Sequence, residues 1–105
     1  MGSRADIRPR ASLDVVEQAT YIGKDNILAA DGFLNASTAL FEFLAQSPQV
    51  GAVYPTKNKR LPGLRVYRVP GFPKHLAFYL ERSFGIEIVR VLHGARDLDA
   101  ALRDE

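Results

Sequence analysis

A chain of 105 residues supports one domain with a small core and hardly a second. At 47% hydrophobic and 25% charged it is ordinary globular composition rather than a disordered tail, and with no cysteine it has neither a disulfide framework nor a thiolate site. The net charge of +2 conceals an uneven distribution. Residues 13–42 carry Asp14, Glu17, Asp25, Asp31 and Glu42 against Lys24 alone, whereas residues 43–80 contain no acid and hold Lys57, Lys59, Arg60, Arg65, Arg68 and Lys74. An acidic first half joined to a basic middle suits an acidic partner surface. The plainer reading is that these cations solvate loops and strand faces. No apolar run approaches the roughly 18 residues of a membrane span, and the start has no hydrophobic region of a signal peptide, with Gly2-Ser3 either a cloning scar or native. The expectation is a single domain over residues 1–105 with its core at about 7–102, located in the cytoplasm, without a membrane or cofactor.

In chain order, residues 4–10 alternate weakly around Ile7 and predict a first strand, which Pro9 confines to an edge or its end. Ser12 then stands as an N-cap for a helix whose face runs through Leu13, Val16, Ala19 or Thr20, and Ile22, stopping at residues 23–26. A second helix is marked by Ala30, Phe33, Leu34, Ser37, Leu40, Phe41 and Leu44, opposite Asp31, Asn35, Thr38 and Glu42. Asp25 or Asn26 caps its start and Ser47-Pro48 ends it, and the short connection predicts an antiparallel helical hairpin. Residues 46–63 form a long polar segment of the kind that is functional or mobile. Three strand-like runs follow: 64–69, 76–80 and about 84–92, the last two close enough to pair as a hairpin. Residues 98–102 give a stub of amphipathic helix. The predicted fold is α+β: an N-terminal strand and a helical hairpin packed on an antiparallel sheet, with a short C-terminal helix.

No metal site is expected, because His75 and His93 are the only histidines and neither has a carboxylate cluster at ligand spacing. No glycine-rich phosphate loop is present, and Ser37 and Ser83 lack a base and an orienting acid for nucleophilic catalysis. What remains is cationic. Arg65 and Arg68 fall on opposite faces of a regular strand, so one of them points away from the helices. The basic loop Lys57, Lys59 and Arg60, with Lys74, Arg90, His93 and Arg96, predicts a basic concave face able to hold phosphate or carboxylate. Such a face serves either cleavage of RNA, with a His or Tyr as acid or base, or the binding of an acidic protein segment. His93 at a strand end reads as a titrating group or as a hydrogen-bonded structural residue, and Arg96 and Asp97 read as partner contacts or as a cap and ion pair for the stub.

Several segments in order resemble the ParE branch of the RelE/ParE toxin superfamily, over about residues 8–102. They are Ala11-Ser-Leu-Asp-Val-Val-Glu-Gln-Ala-Thr-Tyr-Ile22, Ala29-Ala-Asp-Gly-Phe33, Leu44-Ala-Gln-Ser-Pro48 with Gly51, Leu61-Pro-Gly-Leu-Arg65 and Phe78-Tyr79. The set closes with Ile86-Glu-Ile-Val-Arg-Val-Leu-His-Gly-Ala-Arg-Asp-Leu98. The resemblance implies the toxin of a type II toxin–antitoxin pair, of the kind associated with plasmid stabilisation, neutralised by a cognate antitoxin and inhibiting DNA gyrase without a hydrolytic centre. It also leaves open a toxin homodimer or a heterotetramer with the antitoxin. The alternative it implies is a ribosome-dependent mRNA endonuclease of the RelE type, with Lys57, Arg65 and Arg90 on phosphate. A third is an inactive member that only binds antitoxin. The sequence departs from the endonuclease pattern after Arg90, where there is no Tyr or Lys and His93 is the only acid/base candidate. On this reading the chain has no catalytic residue, and Arg65, Arg68, Lys74, Arg90, His93, Arg96 and Asp97 form the target- or antitoxin-binding surface.

Overall fold

The computed structural model describes residues 3–105, so Gly2 of the Gly2-Ser3 pair lies outside it. In order the elements are β1 (Arg4–Ile7), α1 (Pro9–Gly23), α2 (Ile27–Gln46), β2 (Ala52–Val53), β3 (Arg65–Val69), β4 (Phe72–Arg82), β5 (Gly85–His93) and α3 (Leu98–Leu102). Helix α1 begins earlier than the Ser12 cap predicts. Arg8 is extended and Pro9 opens the helix, where its fixed φ fits and its missing N–H leaves no bond unmade. Pro9 thus ends the strand by starting the helix. The cap of α2 is as expected: the Asn26 side chain accepts from the Ala29 N–H at 3.0 Å.

One expectation about α2 is corrected. By length and composition alone, Ile27–Gln46 is apolar enough to cross a membrane. In this fold Phe33, Leu40, Phe41 and Leu44 are buried in the core, while Asp31 and Glu42 stay in solvent.

The five strands form one sheet in the order β1-β5-β4-β3-β2. The pairs β3–β4 and β4–β5 are antiparallel as predicted, β2 adds an antiparallel edge that the sequence reading did not include, and β1 joins β5 in parallel, so the sheet is mixed. The reason is connectivity: β1 enters the sheet before the helical hairpin and lands beside the last strand. Strand β1 ends at Ile7 opposite Ile88, and the Arg8 N–H closes its ladder on the Ile88 carbonyl. Beyond that point β5 would present an open edge. Helix α1 covers it with two side chains one turn apart. Asp14 Oδ2 accepts from the Val91 N–H at 3.0 Å, and Gln18 Nε2 donates to the Val91 carbonyl at 2.7 Å.

Both faces of the sheet are covered. The inner face packs Ala77, Tyr79, Ile86, Ile88 and Val91 against Ala11, Ala19, Phe33, Leu40 and Leu44 of the hairpin. The outer face packs Phe78, Leu80, Val89 and Leu92 against Leu61, Leu64 and, from α3, Leu102. The 46–63 segment is therefore not an open loop. It contributes β2, buries Leu61, and is fastened where the Tyr79 hydroxyl donates to the Pro48 carbonyl and accepts from the Gly51 N–H, each at 2.8 Å. A Cβ at Gly51 would sit 2.9 Å from the Val66 carbonyl and closer still to that hydroxyl, so the approach demands glycine.

Candidate partner-binding surfaces

The cations singled out from sequence do not share one concave face. Arg90 is 4% exposed. Its Nε and Nη2 donate to the two carboxylate oxygens of Asp14 at 2.7 and 3.0 Å, and its Nη1 donates to the Ala101 carbonyl and to Glu105. The hydrogen bonds to Asp14 hold this guanidinium more firmly protonated than usual. Arg90 is thus withdrawn from the expected surface, because it joins β5, α1 and the end of the chain from inside.

Arg65 pairs with Tyr79 across the strands and lies on the helix side of the sheet, where its Nη1 donates to the Gly51 and Gln49 carbonyls at 2.7 and 3.3 Å. Arg68 pairs with Leu76 on the outer side and is exposed, as is Lys74 near the start of β4. Arg96 is exposed in the turn after β5. Asp97 caps α3, its Oδ1 accepting from the Ala100 N–H. Sequence alternation thus placed Arg65 and Arg68 correctly on opposite faces.

His93 stands across the strands from His75, ring centroids 5.1 Å apart. Its Nδ1 accepts from the Ala95 N–H at 3.0 Å, which shapes the turn into α3. His75 lies against Phe33 and Phe72, and its Nδ1 donates to Gln18 Oε1, since the Gln18 amide nitrogen is already committed to Val91. Burial, and then the neighbouring His93, push the His75 imidazole below its ordinary 6.5. The folded state therefore binds fewer protons here than the unfolded chain just below that value. Its stability falls as pH drops through the unfolded value and levels off once the folded imidazole is protonated. Urea unfolding at pH about 7.5 and about 5.5 should show this loss, and His75→Gln should flatten it. A slope that persists in the variant would assign the effect elsewhere. Glu87, which Arg8 and Arg82 hold below the usual carboxylate range, acts only in more acidic solution.

The basic loop is where charge does gather. Lys57, Lys59 and Arg60 line a cleft of about 650 Å³ with Arg103, which follows α3. Arg103 and the residue that organises this loop, Asn58, were not signalled by sequence, because both matter only once the end of α3 docks on the loop. On the other side of the molecule β1, α1 and α2 enclose an open, mostly apolar groove of about 380 Å³ lined by Ala5, Ile7, Val15, Leu34 and Phe41. Ser37 also lines it, and its buried hydroxyl lacks a hydrogen-bond partner. No group of three or more potential metal ligands occurs among the described residues.

A helical hairpin on one face of a mixed sheet, with a loop and a short helix closing the other, defines a small α+β domain whose surface carries an apolar groove and a basic cleft. Residues 6–98 match the family described as ParE toxin of type II toxin-antitoxin system, parDE, and the chain belongs to that family. It is the toxin type of a toxin–antitoxin pair, and its family implies a cognate antitoxin. Among curated proteins no relative matches it.

Proposed function

We propose that this toxin arrests DNA gyrase by binding it, acts in the cytoplasm, and is held inactive by its antitoxin. The observation that carries the reading against RNA cleavage is the commitment of Arg90. Its guanidinium is enclosed by Asp14, Ala101 and Glu105, so it is not free to meet a scissile phosphate. Arg65 is engaged by two carbonyls, and the His93 Nδ1 lone pair by the Ala95 N–H, which supports the same view. A nuclease would need such groups unengaged and converging on one phosphate.

The antitoxin is assigned to the groove between β1 and the helical hairpin. Its apolar walls suit an amphipathic segment, and a polar group on that segment would satisfy the Ser37 hydroxyl. The target surface is assigned to the exposed Arg68, Lys74 and Arg96, with Asp97 and His93 shaping the turn beside them. The deciding experiment measures supercoiling by purified gyrase and mRNA integrity in a translation extract, each with added chain. The expected result is lost supercoiling with intact mRNA. Site-specific mRNA cleavage with normal supercoiling would replace this reading with the endonuclease one.

A further inference from the structure

We propose that the cleft between the 55–60 loop and the end of α3 is a binding site for a phosphodiester backbone. Four cations, Lys57, Lys59, Arg60 and Arg103, line it, all of them exposed. None takes part in the ion pairs found among the described residues, whereas Arg4, Arg8, Arg10, Arg82 and Arg90 all do. The one carboxylate in the lining, Asp99, accepts a hydrogen bond from the Tyr54 hydroxyl at 2.9 Å. The charge of the site is therefore largely uncompensated, and like charges held together favour an anion that neutralises them.

The backbone that carries these cations is also held in place. Asn58 sits between Lys57 and Lys59 and fixes the loop from both ends of its amide. Its Nδ2 donates to the Leu102 and Arg103 carbonyls at 2.8 and 3.1 Å, and its Oδ1 accepts from the Arg60 N–H at 2.9 Å. The Asn58 N–H in turn donates to Thr56 Oγ1, and Leu61, next in line, is buried under the sheet. One side chain thus ties the basic loop to the end of α3 and brings Arg103 beside it. Less of the ordering cost then falls on the binding step.

The lining favours phosphodiesters over an acidic protein segment. It has no aromatic ring and no aliphatic side chain larger than Pro55. Protein partners are anchored chiefly by large side chains seated in apolar pockets, whereas a sugar–phosphate chain needs only cations along its path. The site lies on the outer face of the sheet, with Leu61 and Leu102 in the same outer cluster, so it stays open when the groove of the helical hairpin is filled. The inference goes beyond the gyrase reading and does not depend on it.

The test is fluorescence anisotropy of the purified chain with a labelled DNA duplex of about 20 base pairs, and with a single-stranded RNA of equal length, across a salt series. Four phosphate contacts predict a log–log salt slope of about −3 to −4 on the duplex, and the double variant Lys57→Gln/Lys59→Gln should weaken binding and make that slope shallower by about 2. Arg4→Gln/Lys24→Gln removes the same charge away from the cleft and should leave most of the binding intact. Both variants alter exposed side chains, and matching thermal unfolding confirms that they remain folded. Preference between the two arms identifies the source of the phosphodiester, and binding to either supports the site. Equal losses from the two double variants would reduce the effect to net charge and overturn the proposal. So would a glutamate-rich peptide that binds the cleft more tightly than both nucleic acids.

Discussion

Asp14→Ala should destabilise the protein by about 3–5 kcal/mol, the usual cost of leaving one partner of a buried ion pair unpaired. Asp14 is 2% exposed and serves two roles. It neutralises Arg90 through two hydrogen bonds, and it accepts the Val91 N–H that β5 exposes where β1 stops. Alanine removes both, leaving Arg90 with Glu105 at 3.3 Å and the Ala101 carbonyl. Arg90→Met should cost less, because Asp14 then keeps the Val91 N–H and has Arg10 Nη2 at 3.6 Å. In the double variant Asp14→Ala/Arg90→Met neither member of the pair is left without the other, so the two effects should fall short of additive by about 1–3 kcal/mol. Urea unfolding of the four proteins makes the measurement. A loss under about 1 kcal/mol for Asp14→Ala would mean that the pair is screened by water and does not anchor α1 to β5.

Gly85→Ala should disrupt the junction of β1 with the rest of the sheet. Gly85 has φ +136°, a backbone state that L side chains rarely adopt, and a Cβ there would clash with the Arg4 carbonyl oxygen. The obstacle is backbone paired in the ladder, Arg4 facing Gly85, and cannot swing aside like a side chain. Dihedral strain of about 1–3 kcal/mol adds to a steric cost of about 1–3 kcal/mol. The expected result is a large fall in unfolding free energy together with faster amide exchange on the β1 side of β5. Unchanged exchange at Ile86 and Ile88 would show that β1 tolerates the displacement.

These two sites mark the boundary of what could be read along the chain. The periodicity from Ala30 to Leu44, the cap at Asn26, the hairpin of β4 and β5 and the short α3 were all legible, because each is set by neighbours a few residues apart. The resemblance to ParE toxins was legible for the same reason, being carried by ordered local segments. Pro9 reads equally as the edge or end of a strand and as the first residue of a helix, because either role fits its fixed φ, so the start of α1 lies earlier than the Ser12 cap implies. The candidate site was only half visible. The acid-free block containing Lys57, Lys59 and Arg60 stands out in sequence, but Arg103 joins it only through the Asn58 bonds to the end of α3.

Local alternation and helical spacing in the amino-acid order thus determined the helices, the longer strands and the sign of charge along the middle of the chain, while β2 and the covering of the outer face came from tertiary packing. Tertiary structure alone decided that β1 runs parallel to β5, that Arg90 is enclosed rather than presented, and which cations meet. The physical reason is that pairing of residues 76 apart, such as Arg90 with Asp14, depends on how whole elements dock. No pattern within a single element encodes that docking. A charged side chain reads the same in sequence whether it faces water or closes a buried bridge.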